Sequence, residues 1–296
     1  MLVLSSADVL RLLPLDDCIA AVEEAFRDHG QPGLLSAHVG RGAFHIKTAI
    51  AGRRFGAKAN ANFPSNPQER GLPAIQGVML LFDADDGRPL AVLDSIEITA
   101  LRTAAATAVA AKYLAPKGAT TATIVGCGKQ GRVQLEAVRR VLPLRRVFAF
   151  DIEHERARYF AREMDATPVT TLEARDTDVW ITCTPSRVPF LRREHVRDGA
   201  LVAAVGADNP SKSEITPELM AVSRVITDVT AQCLEMGDLH HALAVGATAV
   251  AELGDVIRGR CPARQNERDI VIFDSTGAGF QDTAAASLVY DRAQAG

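Results

Sequence analysis

TTATIVGCGKQGRVQLEAV (residues 120–138) decides the fold. A β-branched, apolar run from Thr120 to Val125 feeds directly into Gly126-Cys127-Gly128-Lys129-Gln130-Gly131. Leu135, Val138 and Leu142 then follow at helical spacing. Strand, glycine turn and helix in that order make a phosphate-binding βα unit. Gly126 allows the tight turn, Gly128 lets the backbone approach a pyrophosphate, and Gly131 lets the helix pack on the strand. The helix N-terminus attracts the phosphate charge. A second strand, RVFAFD (146–151), ends in Asp151 about 20 residues beyond Gly131, where an acid hydrogen-bonds the ribose hydroxyls of a dinucleotide. A carboxylate there repels a 2′-phosphate, which favours NAD(H) over NADP(H), although Arg156 stands close by. Lys129, Gln130 and Ile152 complete the candidate cofactor surface. The plain alternative is a glycine turn with a surface aspartate.

Beyond this unit the texture of strand and helix continues through DVWITC (178–183), ALVAAV (200–205), SRVITD (223–228) and DIVIFDSTG (269–277). Continuous apolar strands alternating with helices predict a parallel sheet covered on both faces. The stretch before Leu114 reads differently. It opens with an amphipathic helix in which Asp16 or Asp17 can cap and Ile19, Val22, Ala25 and Phe26 share a face. Strand-like runs follow at FHIKTAI (44–50), RFGAKANA (54–61), IQGVMLLFDA (75–84) and PLAVLDS (89–95), and DDGR between the last two predicts an antiparallel hairpin. Residues 34–44 and 65–70 read as loops. TALRTAAATAVAAKYLAP (99–116) predicts an alanine-rich helix stopped by Pro116, and AAASLVYDRA (284–293) a terminal helix. The fold class is therefore α/β, with no internal repeat.

Composition bounds the partners. The chain has 296 residues, 47% hydrophobic and 23% charged, with a formal net charge of −3, the balance of a soluble globular protein with no bias toward nucleic acid or anionic membrane. The start lacks a cationic n-region and cleavage site, and no run of about 18 apolar residues predicts a membrane span. Five scattered cysteines without a CxxC pair suit a reduced, cytoplasmic chain.

Candidate substrate groups come from charge in unexpected places. Alternation puts Lys58 on the strand face opposite Phe55, Ala57 and Ala59, and Lys47 alternates with Ile46 and Thr48. Two such lysines can line one pocket, although an exposed strand lysine is the commoner case. Arg102 sits among alanines, where a buried guanidinium needs an anion such as a substrate carboxylate or a cofactor phosphate. Asp208 follows ALVAAVGA at the carboxyl end of a parallel strand, where ligands bind in open α/β sheets; a turn cap ahead of Asn209-Pro210 is the equal alternative. His240 and His241 are adjacent, so on a helix they diverge by about 100° and do not form an i,i+4 metal pair. Cys127 reads as packed rather than nucleophilic, and no metal site is expected.

The chain resembles the ornithine cyclodeaminase/μ-crystallin family over nearly its full length. The resemblance rests on GAKANANFPSN (56–66), GLPAIQGVMLLFDADDGRPLAVLDS (71–95), ITALRTAAATAVAAKYLAPK (98–117), IVGCGKQG (124–131), AVGADNPSKSEI (204–215) and FDSTG (273–277). It implies a homodimer in which residues 1–115 with 275–296 form an α+β substrate and dimerisation domain, and an inserted Rossmann domain, 116–274, binds NAD(H). It also implies that Lys58 and Arg102 hold a substrate α-carboxylate, with Arg102 and Thr103 also near the cofactor. Asp208 would be the acid/base beside the reacting nitrogen. Thr184, Ser186, Val205, Ser275 and Gly277 would line the cofactor cleft. The implied activity is hydride transfer to or from a small amino or imino acid. Cyclisation of ornithine to proline with loss of ammonia, or non-catalytic small-molecule binding of the μ-crystallin kind, are the alternatives.

Departures from the family pattern turn the expectation away from ornithine. Ornithine cyclodeaminases carry an acid where this chain has His45, a methionine where it has Lys47, and a threonine near Ala74. Their upstream carboxylate-binding arginine aligns near Leu34, leaving Lys47 and Arg41 as candidates for its role. An added cation at Lys47 suggests a second anionic group or tighter carboxylate binding. An imino-acid reductase or amino-acid dehydrogenase is the reading these residues favour.

Overall fold

The structure, a computed structural model, describes residues 1–28, 30, 32–173 and 176–296. It divides into two compact units, Met1–Ala105 with Ala278–Gly296, and Ala106–Gly277.

The first unit is built on a six-stranded sheet of β1 (Leu2–Leu4), β2 (Pro32–Val39), β3 (Gly42–Ala51), β4 (Arg54–Asn62), β5 (Ile75–Asp83) and β6 (Pro89–Asp94), in the order β1-β6-β5-β4-β3-β2. Strands β2 to β6 run as an antiparallel meander, and β1 joins β6 in parallel. The hairpin expected from DDGR is present between β5 and β6, with Gly87 at φ 76° in its turn. Residues 34–44, expected as a loop, instead supply most of β2 and the start of β3. Residues 66–70 form a helix rather than a loop.

Helices α1 (Ser6–Leu12), α2 (Leu15–Asp28), α3 (Asn66–Arg70) and α4 (Ser95–Leu114) accompany these strands. Ser5 and Asp8 close a capping box on α1, each accepting the other's backbone N–H. Asp16 and Asp17 do not cap α2 as expected; the helix starts at Leu15, and both acids sit in its first turn, where they favourably face the positive end of its dipole.

The second unit is a doubly wound sheet of β7 (Thr121–Val125), β8 (Arg146–Phe150), β9 (Thr167–Pro168), β10 (Val179–Thr182), β11 (Leu201–Ala204), β12 (Arg224–Thr227), β13 (Ala249–Glu252) and β14 (Val271–Asp274). Their order is β13-β12-β14-β11-β10-β7-β8-β9, with every pairing parallel. Helices α5 (Lys129–Val141), α6 (His154–Glu163), α7 (Pro217–Ala221), α8 (Thr230–Cys233), α9 (Asp238–Ala242) and α10 (Leu253–Ile257) complete it. Every residue of β7, β10, β11 and β14 is buried, which is why these strands read as unbroken apolar runs. The chain runs from β7 outward to β8 and β9, then returns to β10 on the other side. That reversal is a topological switch point at the carboxyl ends of β7 and β10, the position at which open α/β sheets bind ligands.

The chain then re-enters the first unit as α11 (Gly279–Ala295), longer at its start than the run 284–293 expected from sequence. Its first eight residues are all buried and include Gln281, Asp282 and Thr283, so no polar face marks it as a surface helix. It packs on the inner face of the sheet and on α2, where Phe280 meets Phe26 edge to face. Two glycines permit the close approach. A Cβ at Gly279 would lie 2.4 Å from the Thr48 carbonyl oxygen, and one at Gly56 2.2 Å from Thr283 Oγ1.

Candidate active site

Register across the first sheet brings the lysines together. Leu34, Lys47, Lys58 and Met79 form one row through β2, β3, β4 and β5, with Lys47 directly opposite Lys58. Both are buried, at 9% and 3% exposure, so the commoner case of an exposed strand lysine does not hold. Their side chains turn to the inner sheet face, the face α11 covers. In the same register Lys47 is the direct cross-strand partner of Leu34. Arg41 is exposed and pairs with Glu69. His45 contacts Ser36, its own cross-strand neighbour, at 2.9 Å.

Arg102 lies on α4 and is 5% exposed. Sequence reasoning sought its anion outside the protein, in substrate or cofactor; the structure supplies one internally. Asp282 Oδ1 accepts from Arg102 Nε at 2.7 Å and from Lys58 Nζ at 2.8 Å. Gln281 Oε1 accepts from Arg102 Nη1 at 2.9 Å, and Lys58 Nζ also donates to Thr99 Oγ1 at 3.1 Å. Thr103 bonds its hydroxyl back to the Thr99 carbonyl. Burial pushes the Lys58 amine down to about 7, with Arg102 and Lys47 adding repulsion and Asp282 opposing both. The two neighbouring cations hold the Asp282 carboxyl below its usual range, against the opposing effect of burial. Asp282 Oδ2 and Gln281 Nε2 are buried without a hydrogen-bond partner.

In the second unit the three glycines do three separate things. Gly126, at φ 102°, takes a conformation other residues avoid, and its Cβ would lie 2.9 Å from the Cys183 carbonyl oxygen. A Cβ on Gly131 would come within 2.2 Å of the Gly126 carbonyl oxygen, so this glycine closes helix onto loop. Gly128, at the N-cap of α5, has open space where a Cβ would stand. Asp151 braces the turn from the end of β8: Oδ2 accepts from Cys127 N at 2.9 Å and Oδ1 from Glu153 N at 3.0 Å. Ile152 is exposed, and Arg156 pairs with Glu153 at 2.8 Å while lying 3.9 Å from Asp151. Lys129 and Gln130 open α5. Burial raises the Cys127 thiol to about 12, in keeping with a packed rather than nucleophilic role.

The other predicted cleft residues sit at the carboxyl edge of this sheet. Thr184 follows β10, Val205 follows β11, and Ser275 and Gly277 follow β14. Ser186 bonds its hydroxyl to the Val188 carbonyl. Asp208 is exposed and accepts from Lys212 Nζ at 2.7 Å, and Asn209 Oδ1 accepts from Ser211 N at 3.0 Å. His241 contacts the Lys212 carbonyl oxygen and His240 that of Leu234.

Sequence reasoning missed four buried acids that tie these loops together. Glu214 accepts from Thr182 Oγ1, Thr184 N, Thr184 Oγ1 and Gly206 N, at 2.6–3.0 Å. Asp238 accepts from the backbone of Glu214 and Ile215, and Asp274 from that of Asp238 and Leu239. Asp228 accepts from Ser275 Oγ and Gly277 N. Burial raises Glu214 to about 7 and Asp238 to about 6, and it pushes Asp274 up as well. Among the described residues no group of three or more acids, histidines or cysteines is arranged to hold a metal. A signal was present for three of the four: Glu214, Asp228 and Asp274 stand inside the SKSEI, SRVITD and FDSTG stretches.

A doubly wound parallel sheet with a glycine-rich first βα turn defines a Rossmann-type α/β protein. The family model described as the ornithine cyclodeaminase/mu-crystallin family matches residues 1–296, and the chain belongs to that family. It is 36% identical to the alanine dehydrogenase of Archaeoglobus fulgidus over 99% of this chain and 95% of that one. It is 34% identical to the iminosuccinate reductase of Paracoccus denitrificans over 99% and 97%. A solved archaeal alanine dehydrogenase dimer with bound NAD superposes with a TM-score of 0.96 at 35% identity, covering 100% of this chain and 96% of that chain.

Proposed function

We propose that this chain is an NAD(H)-dependent oxidoreductase that moves a hydride to or from the α-carbon of a small α-amino or α-imino acid. The buried Lys58–Arg102 pair, carried in the same chain as the glycine turn of β7 and α5, is the observation that supports this best. Full-length similarity to an alanine dehydrogenase and an iminosuccinate reductase points the same way.

Lys58 and Arg102 are assigned to the substrate carboxylate, with Lys47 beside them. Charge-assisted donors of this kind fix the carboxylate in place, and ideal orientation of reactants can lower a barrier by up to about 7–11 kcal/mol. Asp208 is assigned as the acid/base that keeps the imine nitrogen protonated and so keeps C2 electrophilic. Bound NAD(H) supplies or takes up the hydride. Residues of the second unit fit that cofactor. Gly128 leaves its N-cap open, the first turn of α5 carries no acid, and the Asp151 carboxylate at the end of β8 disfavours a 2′-phosphate. Thr184, Ser186, Val205, Ser275 and Gly277 remain the proposed cleft lining.

The two loop glycines separate cofactor contact from folding. Gly128→Ala is expected to leave Tm unchanged, because nothing in the protein meets the new methyl, yet to weaken NADH binding. Gly131→Ala is expected to lower both, with a packing cost of about 1–3 kcal/mol. Fluorescence titration of NADH and thermal melts read the two effects. If Gly128→Ala binds NADH as the wild type does, the dinucleotide does not approach this turn.

A homodimer accords with the outer face of the first sheet, where Leu35, Ile46, Ala59 and Val78 form one row with Phe44 and Ile50 alongside. Leu35, Phe44, Ile46, Ile50 and Val78 are all exposed, an apolar surface of the kind that buries itself against a second copy. No helix among the described residues is long and apolar enough to cross a membrane, and the five free thiols fit a reducing compartment such as the cytoplasm.

The test is NADH oxidation, followed at its nicotinamide absorbance, with Δ1-pyrroline-2-carboxylate, Δ1-piperideine-2-carboxylate, pyruvate plus ammonia, glyoxylate plus methylamine, and oxaloacetate plus ammonia. Turnover of one member is expected. Silence across the panel, with proline and ammonia formed from ornithine at catalytic NAD, would replace this reading by a cyclodeaminase. Silence in both assays despite tight NADH binding would indicate a binding protein.

A further inference from the structure

Asp282 holds two cations on one oxygen. Lys58 reaches Oδ1 from β4 and Arg102 reaches it from α4, at 2.8 Å and 2.7 Å. Gln281, one residue earlier on α11, takes an Arg102 Nη1–H at 2.9 Å. All four side chains are buried. The ammonium has three N–H donors, of which one goes to Asp282 and one to Thr99. The guanidinium has five, of which one goes to Asp282 and one to Gln281. Each cation therefore keeps donors for another acceptor, and their directions are set by what α11 holds.

Neutralisation by itself does not explain this geometry. A carboxylate serving only to balance buried charge would offer one oxygen to each cation. Here Oδ1 takes both, and Oδ2 is left buried without a donor, an unfavourable arrangement. What the shared oxygen achieves is proximity, since it draws Nζ and Nε to one point. Gly56 and Gly279 allow α11 to sit close enough to the sheet for this contact.

We propose that Asp282 is the positioning residue of the carboxylate clamp, drawing Lys58 and Arg102 side by side so that their remaining donors serve one bound carboxylate. The proposal rests on the reading that these two residues take the substrate carboxylate. Charge supports it. Arg102 on α4 and Lys47 on β3 both act to deprotonate Lys58, burial acts with them, and Asp282 on α11 opposes all three.

Three variants test it with the imino acid that the wild type reduces. Asp282→Asn is expected to raise the imino-acid KM by at least about tenfold at neutral pH, to leave NADH affinity within about twofold, and to move the alkaline rise of KM at least about one pH unit lower. Asp282→Glu keeps the charge but displaces the oxygen, so its KM should rise while Tm holds. In a Lys58→Gln background, adding Asp282→Asn should change KM much less than it does in the wild type. If Asp282→Asn fails to fold, Asp282→Glu and the double variant decide. A wild-type KM in Asp282→Glu overturns the proposal, as does an Asp282→Asn enzyme whose losses follow its folded fraction with an unmoved pH limb. A wild type that turns over no imino acid removes the reading beneath it, a result distinct from either.

Discussion

Arg102→Met is expected to lower kcat/KM for the imino acid by about 10³-fold, equivalent to about 4 kcal/mol of transition-state stabilisation. Methionine keeps much of the side chain's apolar length but removes every donor. Two losses combine. The proposed clamp loses its planar, multi-donor member, which a lysine would not replace because it lacks the fork. Asp282 also loses one of its two cations, and breaking a buried ion pair from one side typically costs about 3–5 kcal/mol. Part of that second loss will show in Tm rather than in catalysis, so kinetics must be normalised to folded protein. NADH affinity should change little, because Arg102 bonds to Asp282 and Gln281 of its own unit. A kcat/KM within about tenfold of the wild type would show that Arg102 holds the fold and not the substrate.

Glu214→Ala is expected to lower Tm by about 10 °C and to weaken NADH binding. Four donors lose their acceptor together: the hydroxyls of Thr182 and Thr184 and the backbone N–H groups of Thr184 and Gly206. At about 1 kcal/mol for each bond lost, the cost is about 4 kcal/mol, and each kcal/mol moves Tm by about 2–4 °C in a unit of this size. The loops released are those after β10 and β11, which carry Thr184 and Asp208. Glu214→Gln isolates the proton. Because burial and Asp238 raise the folded carboxyl from 4.5 to about 7, the folded state binds its proton more tightly than the unfolded chain does. Unfolding free energy then falls as pH rises between those two values and levels off above. Glutamine cannot titrate, so the Tm gap between wild type and Glu214→Gln should narrow from pH 5 to pH 7.5. A widening gap would mean that the four donors keep Glu214 ionised and that burial does not dominate.

Much of this site was legible before folding. The spacing from Val125 through Gly131 to Asp151 carried the cofactor turn, because phosphate recognition by backbone needs glycine at fixed positions and little else. Lys58 stood out through strand alternation, and Arg102 through a charge set among alanines. Asp282 did not stand out, since it lies two residues before the terminal helix expected at 284–293. Its importance arises because α11 is buried along its first turns, a condition no local pattern announces. Glu214, Asp238, Asp274 and Asp228 were hidden for a related reason. Each accepts at least two bonds from backbone N–H groups, and backbone partners leave no trace in residue type.

What the chain determined by itself was much of its local order: most of the long strands, where the parallel sheet begins, and which glycines close its first turn. Those follow from periodicity and from the steric limits on single residues. What only the tertiary structure decided was pairing. Register across β2, β3 and β4 set Lys47 beside Leu34 and opposite Lys58. Packing of α11 on that sheet gave Lys58 and Arg102 a shared carboxylate from residue 282. Electrostatic partners act over a few ångströms of space, whatever their separation along the chain, so they become visible only when the fold has brought them together.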